Sequence, residues 1–284
     1  FYKSISNLID WLTLFVDPLS GRANNLGNND GSYCYSLHDM EYGDYRPSLQ
    51  LASKIFFDKI LYDEGPWNEP FFWYGIEYDL SETLTKKKEI ITYLNHGGFV
   101  VMKPNDFVSA FLRLPIYKFR PSQADPLHFD LFHNGINLFI DGGTYRYKTN
   151  KSNLEYFFGV QSHNTVQFDD SEPMPRISKF LVGDWLKMKS SLKIDKFSSN
   201  KTLRASYKCK NGYHERQVQF STCGKIWIIV DKISGFNKRA LLRWRLANIK
   251  WEKKNNIVKS SRAIIEIQEN KFIKNIKIMN GYHS

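Results

Sequence analysis

Between Arg120 and Gln167 the chain gathers polar side chains that an ordinary apolar core would exclude. Gln123 stands in Gln123-Ala124-Asp125, Asp141 opens Asp141-Gly142-Gly143-Thr144-Tyr145, and His163 lies in Ser162-His163-Asn164-Thr165-Val166. These are an amide oxygen, a carboxylate and an imidazole, far apart in sequence but on strands or strand ends that a sheet can bring together. Such a set suits a divalent cation, with zinc and calcium the candidates. A neutral amide oxygen is harder than an imidazole, so Gln123 favours calcium or an empty site over zinc. A plainer reading stands beside this one: Asp141 caps the turn at Gly142-Gly143, and His163 is a hydrogen-bonded core histidine.

The elements that must position these groups fall into two textures. Leu8, Ile9, Trp11, Leu12, Phe15 and Val16 recur at helical spacing until Asp17-Pro18 stops the run. A polar loop with Asn24, Asn25, Asn28 and Asn29 follows, and Asp44-Tyr45-Arg46-Pro47 opens a second helix. Pro47 sits in its first turn, where a missing N–H costs nothing. Phe71 to Tyr74 predict a third helix after Pro70. The texture changes near Thr92. From Gly97-Gly98 onward, short alternating runs are separated by turn residues. Asn134-Gly135, between Leu127–Phe132 and Ile136–Ile140, is a hairpin signal. Further strands are predicted at 218–220, 226–231, 240–246 and 263–267. The fold class expected is therefore α+β, with helices over 1–92 and a large antiparallel β-sandwich over 93–284.

The chain has 284 residues, enough for one large or two ordinary domains. Its net charge of +11 attracts polyanions: nucleic acid, anionic lipid or acidic polysaccharide. Aromatic residues make up 15%, which fits strand packing and equally a surface that stacks on sugar rings. No window is apolar enough to span a membrane. Cys34, Cys209 and Cys223 show no metal-like spacing; an odd count argues for free buried thiols, although Cys209 and Cys223 could flank a hairpin and pair. The chain opens at Phe1, already inside a helical pattern, and reads as a fragment or processed piece, so a missing leader says nothing of export.

The order of Gln123-Ala124-Asp125, Asp141-Gly142-Gly143-Thr144-Tyr145-Arg146-Tyr147 and Ser162-His163-Asn164-Thr165-Val166 resembles the β-domain of the heparinase II/III-like polysaccharide lyases. Asn29-Asp30-Gly31-Ser32-Tyr33 and Asp44-Tyr45-Arg46-Pro47 look like the closing helices of that family's α/α toroid. The resemblance implies a lyase acting on uronate-containing acidic polysaccharide by β-elimination, a structural divalent metal (calcium or zinc) at Gln123, Asp141 and His163, and a bacterial periplasmic or secreted location. It implies catalytic groups at Tyr147, Tyr156 and Arg120, with substrate contacts from Arg176 and Asn164. Each has a plainer role: Tyr145 and Tyr147 share a strand face, Tyr156 anchors hydrophobically, and Arg120 forms a surface ion pair. Two departures stand out. Pro121 occupies a position where the family often carries a catalytic histidine, and the toroid's Asn-His pair and tyrosine have no counterpart, Asn95-His96 lying elsewhere. The alternative is a carbohydrate-binding protein that keeps the lyase fold without catalysis. A nucleic-acid binder ranks last, for want of any recognisable motif.

Overall fold

The computed structural model describes residues 1–29, 31–32, 37–80, 89–146, 148–178, 181–195, 198–268, 273 and 275–279. Three helices come first: α1 (Tyr2–Phe15), α2 (Arg46–Phe57) and α3 (Glu69–Tyr74). Pro47 lies in the first turn of α2, and Gly75 closes α3 in the left-handed region (φ 62°).

Five strands then form one antiparallel meander: β1 (Ile91–Leu94), β2 (Phe99–Asn105), β3 (Val108–Arg113), β4 (Phe129–His133) and β5 (Ile136–Phe139). The β4–β5 turn places Asn134 and Gly135 at φ 49° and 77°, the paired positive values of a tight hairpin. Helix α4 (Lys151–Phe158) and β6 (Val166–Phe168) follow. A second sheet contains β7 (Lys193–Asp195), β8 (Asn200–Cys209), β9 (Gly212–Ser221) and β10 (Trp227–Ser234). Strand β11 (Ala240–Leu242) returns to pair with β6, and β12 (Glu252–Lys254), β13 (Ile257–Lys259) and β14 (Ile264–Glu266) make a small sheet.

Period-two alternation decides what each face of the first sheet meets. Val100, Met102, Ala110, Leu112, Phe129 and Leu131 point into one core with Leu203, Ala205, Tyr207, Val218 and Phe220 of the second sheet. That is a β-sandwich core. Val101 and Phe111 point the other way and pack on Phe15 of α1. The Phe15 ring meets Phe99 and Phe111 edge-on at 5.6 and 5.9 Å. Burying one such side chain stabilises by about 1.5–3 kcal/mol, so this cluster fastens the helical layer to the outer face of the sheet.

Strand β8 is an addition to the expected set; its charged positions mask the alternation of Leu203, Ala205 and Tyr207. The segment after Leu242 leaves regular strand pairing sooner than its pattern predicts. Cys209 is half-buried and Cys223 exposed, both as free thiols, so Cys223 is not the buried thiol expected. Cys34 lies outside the described residues. Among them, no helix is long and apolar enough to cross a membrane.

Candidate active site and metal centre

Phe129 and Leu131 take the core side of β4, so Asp130 and the preceding His128 take the helix-facing side. Asp130 stands opposite Phe111 in the strand register, and the His128 ring lies 6.4 Å from the Phe111 ring. Two more segments converge there. Asp141 follows β5, where Gly142 N–H donates to Ser162 O at 2.8 Å. A Cβ on Gly142 would meet Ser162 Cβ and O at 2.7 Å, so only glycine allows this approach. The turn Val160–Ser162 after α4 then delivers His163.

Hydrogen bonds define the cluster. His163 Nδ1 lies 2.6 Å from Asp141 Oδ2, and His128 Nε2 lies 2.7 Å from Asp130 Oδ1 and 3.3 Å from Asp141 Oδ2. Asn164 N–H donates to His128 Nδ1 at 2.9 Å, which fixes the His128 proton on Nε2, between the two carboxylates. Burial alone would raise the Asp141 carboxyl. The His163 and His128 imidazoles, with the bond from Gly143 N–H, instead hold it well below the usual carboxylate range. Burial opposes charge on His128, but Asp130 and Asp141 outweigh it and raise its pKa.

The helical segment closes this site. Asn24 Nδ2 donates to Asp130 Oδ2 at 3.1 Å, and Asn25 Nδ2 donates to Asp141 Oδ1 at 2.7 Å and to Gln123 Oε1 at 2.9 Å. Gln123 is buried beside the cluster, and its Nε2 donates to Gly143 O at 3.0 Å.

The second sheet braces the site from behind. Arg216 is fully buried; its Nη1 donates to Leu127 O and Asn164 O, both at 2.6 Å. Its Nε and Nη2 donate to Asp231 at 2.7 and 3.1 Å, and its guanidinium lies 4.7 Å from the centre of the Trp244 ring. Leu127 holds a left-handed backbone (φ 56°), a strain of about 1–2 kcal/mol for a non-glycine residue. Arg216 therefore ties down the carbonyls just before His128 and just after His163.

His128, Asp141 and His163 offer ligand atoms that all lie within 4.8 Å of one another, so the cluster is able to hold a metal ion. Two imidazole nitrogens and a carboxylate are a zinc-type donor set, whereas calcium takes oxygen ligands. His163 fits this use well: Ser162 Oγ, 3.2 Å from its Nε2, can accept a hydrogen bond from Nε2–H and leave Nδ1 as the ligand. His128 Nε2 becomes a ligand only if the ring proton shifts to Nδ1, which breaks the bond from Asn164 N–H, so ion uptake and that bond compete.

The sequence-predicted residues are placed as follows. Asp141 and His163 meet directly, and Gln123 reaches Asp141 through Asn25. Asn164 is fully buried: its Nδ2 donates to Phe129 O and Ile140 O, and its Oδ1 accepts from Arg245 N–H. That arrangement ties β4 to the segments that follow β5 and β11 and commits both amide atoms inside the chain. Tyr156, half-buried on α4, accepts a bond from Arg245 Nη1 at 2.8 Å. Arg243, two residues before Arg245, has its Nη1 buried with no hydrogen-bond partner among the described residues; burial lowers its pKa, and Tyr156 and Glu172 oppose that shift. Arg176 donates from Nε to Ser178 O at 3.1 Å and lies over Phe158. Arg120 is exposed, and Tyr147 lies outside the described residues. Sequence reasoning missed His128, Asp130, Asn24 and Asn25. The alternation His128-Phe129-Asp130-Leu131 was the available signal for the first two; the asparagines gave none.

Comparison with known proteins gives the family. The profile of the heparinase II/III-like C-terminal domain matches residues 86–277. The chain belongs to the heparinase II/III-like family. Among solved structures, heparinase III (the BT4657 gene product) superposes with a TM-score of 0.65 at 17% identity, covering 90% of this chain and 36% of that one. Heparan sulfate lyase HepC from Pedobacter heparinus gives a TM-score of 0.61 at 17% identity, covering 90% of this chain and 37% of that one. At such identity these likenesses are of fold, and the heparinase II/III-like chain spans little more than a third of either protein. Comparison with curated protein sequences returns no match.

Proposed function

We propose that this chain is the C-terminal part of a polysaccharide lyase that cleaves a uronate-containing acidic polysaccharide by β-elimination. Residues 1–92 then close an α/α toroid and 93–284 form its β-sandwich. The observation that carries the reading is the group joined to the residue after His163 through Arg245: a tyrosine phenol held by that arginine, next to Arg243, whose buried Nη1 has no partner among the described residues.

β-Elimination needs such a set. A base removes the proton at C5, the electron pair forms the C4–C5 double bond, the C4–O4 bond breaks, and an acid protonates O4. The charge that develops on the uronate carboxylate must be stabilised. Tyr156 is assigned to proton transfer, Arg245 holds and orients its phenol, and Arg243 receives the carboxylate. Arg176, which donates to Leu154 O of α4, contacts the neighbouring acidic sugar. Tyr147 and Arg120 complete the expected catalytic set. A metal bound by Asp141, His163 and His128 would brace the segments that carry these groups, with Gln123 and Asn25 supporting Asp141. The proposed location is bacterial periplasm or exterior.

Pro121, in place of a frequent family histidine, favours a second reading, a carbohydrate-binding protein without catalysis. An ultraviolet absorbance assay separates the two. It is run on this chain, and on a longer protein containing it, with heparan sulfate, hyaluronate, alginate and a bacterial acidic exopolysaccharide. Rising absorbance from an unsaturated uronate supports the lyase. Binding with no rise for any substrate supports the alternative.

A further inference from the structure

A groove of about 590 Å³ opens on the sandwich between the edge strand β1 and the segment 185–192, lined by Tyr93, Tyr117, Trp185, Lys187, Lys189 and Ser190 among others. These residues share none of the contacts that build the His–Asp–His cluster. Leu186 is buried while Trp185, Lys187 and Lys189 are exposed, so extended alternation sets one aromatic ring and two ammonium groups along the same outward face. The backbone is fixed on both sides: Lys187 bridges Ile116, Met188 bridges Tyr207, and Lys189 N–H donates to Ser206 O at 2.8 Å.

The chemistry of the lining is specific. Trp185 Nε1 donates to Val182 O at 2.8 Å, so the indole's only donor is satisfied inside the chain while the residue remains 39% exposed. Tyr93, on the edge strand, is 41% exposed. Tyr117 donates to Asp125 Oδ1 at 3.1 Å, leaving its ring as the apolar floor. Among the described residues neither Lys187 nor Lys189 forms an ion pair. An exposed indole whose N–H is satisfied within the chain, beside unneutralised lysines, matches a ligand having an apolar ring face and regularly spaced negative charge.

We propose that this groove is a second binding site, which takes an acidic oligosaccharide, one sugar ring stacked on Trp185 and its carboxylate or sulfate groups on Lys187 and Lys189. Choosing an acidic glycan over other polyanions rests on the polysaccharide reading above. The site would hold the polymer away from the reacting bond and raise its local concentration.

The test is calorimetric binding of size-defined heparan sulfate and alginate oligosaccharides to the whole chain, without turnover, so that a failed lyase assay leaves its result unaffected. Trp185→Ala is expected to weaken Kd about three- to tenfold, the scale of one aromatic contact. Lys187→Ala/Lys189→Ala, at exposed positions that leave folding intact, weakens it severalfold and flattens its dependence on salt. The proposal is overturned if neither oligosaccharide binds, or if both variants bind as the parent does. It is equally overturned if single-stranded DNA of matched charge binds more tightly and loses affinity in the same variants, since the groove would then serve nucleic acid.

Discussion

Arg216→Met tests how the second sheet holds the site. Methionine keeps much of the volume and removes the guanidinium. Asp231 then loses two bonds of 2.7 and 3.1 Å and, among the described residues, keeps His214, whose Nε2 lies 2.7 Å from it. The carbonyls of Leu127 and Asn164 lose their 2.6 Å donors in a buried setting. Removing one partner of a buried pair costs about 3–5 kcal/mol, because the remaining charge stays buried. The strained Leu127 backbone also loses a restraint and can relax, which places the loss toward the lower end. At about 2–4 °C per kcal/mol for a protein of this size class, Tm should fall by roughly 6–20 °C. Urea unfolding of the parent, Arg216→Met and Arg216→Lys measures it directly. Lysine restores charge but cannot serve a carboxylate and two carbonyls at once, so it should recover part of the loss. A loss under about 1 kcal/mol for Arg216→Met would refute the reasoning, since buried charge and carbonyls would then need no partner.

Three other outcomes are expected. Gly142→Ala drives a Cβ to 2.7 Å from Ser162 Cβ and O, and should destabilise by about 1–3 kcal/mol in the same urea assay. For Asp231, burial would raise the carboxyl, but Arg216 and His214 hold it well below its usual range. A depressed folded pKa means that its stabilisation is fully present above the unfolded carboxyl pKa of about 3.9 and is lost as pH falls below it. Unfolding free energy measured against pH should therefore drop through that acid window, and Asp231→Asn should flatten the slope. Added zinc should raise the Tm of the parent, and His163→Ala should abolish the effect.

Local signals carried much of the architecture. Asp17-Pro18 ends α1, Pro47 starts α2 and Asn134-Gly135 turns the β4–β5 hairpin, because proline and glycine chemistry is decided within a few residues. Asp141 and His163 were legible as a pair through the order of their motifs, which carries the family resemblance; taken alone, they read as a turn cap and a core histidine. What sequence could not supply was register and distance. His128 reaches the cluster because Asp130 pairs opposite Phe111 on the helix-facing side of the sheet, a fact of strand pairing. Asn24 and Asn25 sit in a polar loop like many others, and their bonds to Asp130 and Asp141 span more than a hundred residues. Asn164 looked like a sugar contact because its motif is polar; in the fold it joins Phe129, Ile140 and Arg245. The same positional ambiguity hid Arg216, whose neighbours His214, Glu215 and Gln217 are all polar, so nothing in the sequence marks it as facing inward.

The most direct measurement is product formation by the parent and by Tyr156→Phe, in a protein that cleaves one of the four polysaccharides, with substrate binding measured in parallel. The phenol oxygen accepts from Arg245 at 2.8 Å, and its replacement removes the proton-transfer group while leaving the ring. The account predicts loss of unsaturated uronate by at least about a hundredfold, the scale of one general acid–base group, with Kd nearly unchanged. Cleavage at the parent rate by a folded Tyr156→Phe would contradict it.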